Sequence, residues 1–165
     1  MLQTKRLFLR NLCPEDAEIM FAYRNDVRCS RYQRYEDTGM EYLRGFVNTY
    51  GRCGFLSLEE EQHYAVAAKE NDEMIGDLSV FFSEEDHCFT LGITISPAHQ
   101  RQGYACELLA RLVDDLQEKY PEADVVALIE RENVPSIALF QKLGFAEECY
   151  AESIQSWIYV MEKRL

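Results

Sequence analysis

The sequence predicts a mixed α/β fold: one central sheet of six to seven strands flanked by about four helices. Two periodicities and one bound predict it. Tyr64 to Ala68, Met74 to Phe82 and Phe89 to Ile95 are short, apolar and bounded by polar turns, as strands are. Met40 to Tyr50 and Gly103 to Tyr120 instead repeat their apolar residues at helical spacing. The bound is size: 165 residues, 47% hydrophobic, can bury one sizeable core and leave no room for a second, so residues 1–165 read as a single domain.

The elements follow in order. Arg6 to Leu12 alternates around Leu7 and Leu9 and reads as a first strand. Pro14 opens a helix with Glu15 and Asp16 in its first turn, where acidic groups suit the dipole; Ala17, Met20, Phe21 and Arg24 carry its period to Asn25-Asp26. Arg28 to Asp37 is polar and aromatic without a clear period. Helical spacing resumes through Tyr42, Leu43, Phe46, Val47 and Tyr50 and closes at Gly51 and Gly54. Asn71-Asp72-Glu73 joins the next two strands as a polar hairpin turn, and Phe89 to Ile95 adds another strand. The helix from Gly103 to Tyr120 puts Ala105, Leu108, Leu109, Leu112, Val113 and Leu116 on its inner face and stops at Pro121. Val125 to Ile129 is continuously apolar, as a central strand is. Asn133 and Pro135 start a last helix that ends at Gly144; Phe145 begins the next strand, and Cys149-Tyr150 with Ile154 to Met161 read as a final hairpin.

Composition narrows the function. Against 17 basic residues stand 29 acidic ones, a net charge of −12, which disfavours nucleic-acid binding. The same field either concentrates cationic amines or simply keeps the protein soluble. No apolar run approaches the roughly twenty residues that span a bilayer. Six scattered cysteines without a C-x-x-C pair, a His partner at ligand spacing or a signal peptide point to reduced thiols in a cytoplasmic protein and to no metal site.

The most informative stretch is Gln100-Arg101-Gln102-Gly103-Tyr104-Ala105, which follows a strand and opens a helix. A helix start exposes unpaired N–H groups and the positive end of its dipole, and the small residues Gly103 and Ala105 let a pyrophosphate come close. The spacing Q-x-x-G-x-A is neither a Rossmann nor a Walker fingerprint. Two further segments accompany it: Ile93-Thr94-Ile95-Ser96-Pro97 before, and Asn133-x-x-Ser136-x-x-x-Phe140-x-Lys142-Leu143-Gly144-Phe145 after. Together they resemble the GCN5-related N-acetyltransferase (GNAT) family, and Thr4-Lys5-Arg6-Leu7-x-Leu9-Arg10 is similar to its RimJ/RimL-like branch. The resemblance covers nearly the whole chain.

It implies a GNAT-like, mostly antiparallel sheet and acetyl-CoA as co-substrate, with the acceptor a primary amine: a small molecule or a protein N-terminus. The loop Gln100, Arg101, Gln102, Gly103, Tyr104 and Ala105 would then hold the pyrophosphate. Ile93 and Ile95 would present backbone to the acyl group from a strand that splays beside Pro97. Asn133 either hydrogen-bonds near the pantetheine, caps its helix, or does both. Phe140 and Lys142 fall in the same motif, Lys142 reaching a CoA phosphate or complementing the helix dipole.

Acyl transfer from a thioester needs a deprotonated amine, stabilisation of the charge on the acyl oxygen, and a proton for the departing thiolate. Many family members supply that proton from a tyrosine four residues beyond the position of Ser136. Here that residue is Phe140, which has no proton to give; Ser136, the nearest hydroxyl in the helix, either serves as the acid or caps the helix, and because a thiol titrates near 8.5 a weak acid or a water can also suffice. Relatives often place an acidic residue just before the strand's glycine; this chain has Thr90 before Leu91-Gly92. Candidate bases are His87, Glu130, Asp77 and a relayed water. Tyr32, Tyr35 and Tyr42 either line an acceptor cleft or pack in a core or lid; His63 and His99 carry no assignment. An α-amine titrates near 7.7–8.0 against about 10.4 for lysine, so a site without a strong base suits N-terminal amines. The departures at Phe140 and Thr90 also motivate a second reading, a CoA-binding sensor without turnover. The acidic surface motivates a third, a polyamine or aminoglycoside acetyltransferase. An exposed sheet edge near the C-terminal hairpin leaves monomer and homodimer both open.

Overall fold

The computed structural model describes residues 1–161. Seven strands form one sheet: β1 (Leu7–Asn11), β2 (Gln62–Ala68), β3 (Met74–Ser83), β4 (Cys88–Ile95), β5 (Asp124–Ile129), β6 (Phe145–Ala151) and β7 (Ser156–Met161). Their order across the sheet is β1-β2-β3-β4-β5-β7-β6. Five helices flank it: α1 (Asp16–Arg24), α2 (Val27–Ser30), α3 (Met40–Tyr50), α4 (Tyr104–Lys119) and α5 (Val134–Lys142). The expected strands and the four expected helices are present with ends shifted by one or two residues. The addition is α2, a four-residue helix too short to leave a periodic signature, capped by the Asp26 carboxylate accepting from the Arg28 N–H.

Alternation decides which face each helix covers. Leu7, Leu9, Leu78, Val80, Phe89, Leu91 and Val125 belong to the cluster that receives Leu108, Leu109, Leu112, Val113 and Leu116 of α4. The opposite face, at the β1–β4 half, carries Ala65 and Met74 against Met20 and Tyr23 of α1 and Leu43 and Val47 of α3. Burying these two apolar stripes is what drives the layers together.

One junction departs from the antiparallel pattern. β4 and β5 run parallel and pair only at Cys88–Asp124, Phe89–Val125 and Thr90–Val126. Beyond those three pairs the strands diverge, although β4 continues to Ile95 and β5 to Ile129. β4 stays paired with β3 throughout, from Ser83–Cys88 to Gly76–Ile95. The Ser96 N–H bonds the Ile75 carbonyl at 2.8 Å. Ladder alternation then turns the backbone groups of Gly92 and Thr94 toward β3 and those of Leu91, Ile93 and Ile95 toward the gap. The divergence also explains Leu128, 42% exposed on a strand whose apolar run reads as fully central.

Candidate active site

The start of α4 is a turn that only a few backbone conformations allow. Gly103 sits at φ +80° as the residue before the helix, and Arg101 at φ +62°. Among the described residues, the backbone N–H groups of Gln102, Gly103, Tyr104, Ala105 and Cys106 have no acceptor. The first helical bond is Glu107 N–H to the Gly103 carbonyl, 3.0 Å. An unfilled row of donors at a helix start is what a pyrophosphate requires. A carboxylate in this first turn would repel it, yet Glu107 is turned aside and compensated. It accepts from the Thr4 hydroxyl (2.6 Å), the Arg6 N–H (2.8 Å) and Arg6 Nε (2.7 Å). Burial alone would raise the Glu107 carboxyl; those three bonds outweigh it and hold it below the usual range. Arg6 also donates to the Gln102 carbonyl at 3.0 Å and lies over the Tyr104 ring at 4.3 Å, so the residue leading into β1 braces the loop.

The amides of the loop brace it too. Gln100 Nε2 donates to the Ile95 carbonyl (2.9 Å) and Gln102 Nε2 to the Ala98 carbonyl (3.1 Å). Of the loop residues expected to meet a cofactor, these two therefore spend their side chains internally and offer the ligand backbone. Arg101 and its guanidinium are exposed.

The gap between β4 and β5 opens into two cavities. One, of about 310 Å³, is lined by Leu91 and Ile93 of β4, Leu128 of β5, and Asn133, Ser136 and Phe140 of α5. The other, about 220 Å³, runs from Ile93 and Ile95 past Ser136 to Gln100 and Ala105 of the loop. Asn133 caps α5, its Oδ1 accepting from the Ser136 N–H at 3.3 Å, which leaves its amide NH₂ for other use. Phe140 is buried, edge-on to Phe145 with centroids 5.0 Å apart, and closes the inner wall.

A third cavity of about 280 Å³ lies on the α1/α3 face of the sheet, over β2, β3 and β4. Its floor follows the register His63–Ser79–Gly92, three directly opposed positions whose side chains point the same way. Gly92 supplies no side chain, and an added Cβ would meet Ser79 Oγ at 2.5 Å, so the space depends on glycine. Glu36, Tyr42, Phe46, Tyr50 and Glu61 line its wall together with the charged Arg24, Arg34 and Asp77. His63 Nε2 meets Glu61 Oε1 at 3.1 Å, and its ring packs edge-on to Phe46 and Tyr50. Hydrogen bonding to His63, more than offsetting partial burial, lowers the Glu61 carboxyl. Ile93 and Gln33 line all three cavities.

The sequence-derived candidates divide. Ile93, Ile95, Gln100, Ala105, Asn133, Ser136 and Phe140 come together around the gap. Glu130 stands at its edge, but its Oε1 is taken by Arg34 Nε and Nη2, both at 3.3 Å. Arg34 also donates to the carbonyls of Ile154 and Gln155, tying the loop after α2 to the turn before β7. Asp77 is buried and bonded to Tyr23 and Arg24. His87 does not join the site: it lies exposed in the β3–β4 turn at φ +51°, at the paired end of β4, edge-on to Phe82. Seven residues of extended strand separate the turn from Ile95, on the order of 20 Å. Lys142 is exposed near the α5 C-terminus, outside the lining of these cavities. Gln33, Glu36, Glu61 and His63 were not legible as site residues, since only the sheet register and the unperiodic loop bring them to Gly92.

The chain is similar to known proteins over most of its length. It is 29% identical over 150 residues to the uncharacterized N-acetyltransferase p20 of Bacillus licheniformis, covering 89% of this chain and 83% of that one. It is 26% identical over 153 residues to YoaA, an uncharacterized N-acetyltransferase of Bacillus subtilis, covering 90% and 84%. Among solved structures, a GNAT-family acetyltransferase from Bacillus anthracis shares the fold at a TM-score of 0.75 and 20% identity over 96% of this chain and 95% of that one. A spermidine N-acetyltransferase SpeG chimera of Vibrio cholerae and hSSAT does so at 0.72 and 17%, covering 95% of each. The family model for the acetyltransferase (GNAT) domain matches residues 6–146, and the chain belongs to the GNAT family of acetyl-CoA-dependent acetyltransferases.

Proposed function

We propose that this protein acetylates the α-amine of a peptide or protein N-terminus and sits in the RimJ/RimL-like branch of its family. The observation that carries the reading is that Ile93 of β4 lines all three cavities. Two of them form a groove leading to the unfilled N–H groups at the start of α4, and the third opens on the α1/α3 side of the sheet, where aromatic rings, Glu36 and Glu61 stand with Arg24 and Arg34. A thioester donor and an amine acceptor thus have separate entries to one stretch of strand.

In this reading the N–H groups from Gln102 to Ala105 hold the pyrophosphate, with the Arg101 guanidinium beside it. Asn133 and Ser136 face the pantetheine from α5, and Phe140 supplies apolar wall. Ile93 donates its N–H to the acyl oxygen, where a fixed dipole in a dry gap lowers the barrier most. Glu36 and Glu61 draw a protonated amine into the third cavity. Glu130 and Asp77 are engaged with Arg34 and Arg24. The amine's proton therefore passes to water, which suits an α-amine titrating near 7.7–8.0 better than a lysine near 10.4.

A second reading, a polyamine acceptor, is favoured by the same Glu36 and Glu61, since two carboxylates match a substrate with more than one positive charge. A panel tests both: thiol release from acetyl-CoA with peptides bearing a free N-terminus, N-blocked lysine peptides, and diamines or spermidine. Preference for the free N-terminus is expected. Preference for lysine or spermidine overturns the N-terminal reading. Binding of acetyl-CoA without thiol release from any amine returns the sensor reading.

A further inference from the structure

We propose that the hydroxyl of Tyr32 is the acid that protonates the departing thiol, an assignment that rests on the acyl-transfer reading above. α5 itself presents only Phe140 and an aliphatic hydroxyl at Ser136 to the groove. A phenol titrates near 10, within about two units of a thiol near 8.5, whereas an aliphatic alcohol is far less acidic.

The hydrogen-bond inventory singles Tyr32 out. Of the ten tyrosines, six have hydroxyls already bonded inside the protein: Tyr23 to Asp77, Tyr35 to Thr94, Tyr42 to Glu36, Tyr64 to Gly54, Tyr120 to Leu56 and Tyr159 to Glu147. Of the other four, Tyr32 alone lines both cavities of the groove, as do Asn133 and Ser136; its hydroxyl has no partner among the described residues. Its position is anchored. The buried Cys29 of α2 directs its thiol to the Ile95 carbonyl at 3.3 Å and accepts from Gln100 Nε2 at 3.5 Å. That pins α2 to the open end of β4 and holds Tyr32, three residues on, over Ile93. Arg31 lies over the Tyr32 ring at 5.3 Å and helps to hold the ring in place.

The step balances without a further reactant. The neutral amine nitrogen forms the C–N bond and releases its surplus proton to water. The C–S bond breaks with its electron pair on sulfur, the sulfur takes the phenol proton, and the phenolate recovers one from water.

The test compares the native chain with Tyr32→Phe and with 3-fluorotyrosine at position 32, using an amine that the native chain acetylates. For Tyr32→Phe we expect kcat to fall about 10²-fold, with acetyl-CoA affinity by calorimetry held within about threefold. The alkaline limb of the native kcat profile should vanish in Tyr32→Phe and move to lower pH with the more acidic fluorotyrosine. A Tyr32→Phe protein that keeps kcat within about threefold overturns the assignment, as does an alkaline limb that ignores fluorination. Native protein that releases no thiol with any amine fails the acyl-transfer reading itself, and the assignment with it.

Discussion

Arg24 of α1 and Asp77 of β3 form an ion pair at 3.1 Å with side chains only 5% and 8% exposed. Tyr23 donates to the same carboxylate, and the guanidinium lies over the rings of Tyr35 and Phe46 at 4.6 and 4.7 Å. Removing either partner strands a charge in a dry site, so Asp77→Ala and Arg24→Ala should each cost about 3–5 kcal/mol. Replacing both together, Asp77→Leu with Arg24→Met, should cost less than either single change. Urea unfolding checks this; single variants within about 1 kcal/mol of native would mean the pair is not dry.

Gly103 separates two effects at the phosphate loop. Its φ of +80° penalises any side chain by about 1–2 kcal/mol, while the nearest atom to an added Cβ is Arg6 Nη2 at 3.6 Å, so space is not limiting. Gly103→Ala and Gly103→Glu should therefore lose similar stability. Only the glutamate should abolish acetyl-CoA binding in calorimetry, because it brings a negative group to the anion site. Equal binding by both variants would remove the loop from the cofactor site.

Gly76 is a steric position rather than a conformational one. An added Cβ would lie 2.1 Å from the Thr94 carbonyl oxygen and 3.0 Å from Ile95 Cα, both backbone of β4. Gly76→Ala should push β4 from β3 next to the stretch that faces the gap, costing about 1–3 kcal/mol as overpacking does. A parallel rise in KM for acetyl-CoA is expected, since Ile93 and Ile95 move. A variant with native midpoint and KM would contradict the close approach.

Asp16 sets an acid limit on stability. Burial alone would raise its carboxyl. The bidentate bonds from Arg10 (2.7 and 2.9 Å) and the Cys13 N–H (2.8 Å) outweigh burial and hold it below the ordinary value. A group depressed in the folded state contributes fully above its unfolded pKa, about 3.9, and its contribution is lost as pH falls through the folded value. Native protein should lose stability from about pH 4 downward more steeply than Asp16→Asn, measured by urea unfolding at each pH. Equal slopes would mean that Asp16 does not carry the effect.

Much of the fold was legible because burial leaves periodic traces. Leu108, Leu109, Leu112, Val113 and Leu116 announce α4, and each is buried. The turn at Asn71 to Glu73 separates β2 from β3 as read. The turn before α4 was legible for a different reason: a glycine between a strand and a helix marks a break in both periods, and Gly103 has a positive φ that glycine adopts without strain. α2 left no trace, being shorter than two helical turns.

Local pattern determined where strands and helices lie, which face each buries, and where the glycine turn before α4 begins, because each depends on residues near one another in the chain. Tertiary structure alone decided the chemistry around that turn. The divergence of β4 from β5 exposes Ile93, the register His63–Ser79–Gly92 builds the third cavity, and the Cys29 anchor carries Tyr32 over the gap. Those contacts join residues dozens of positions apart, and pairing register, packing and long-range hydrogen bonds leave no periodicity from which a single sequence can be read.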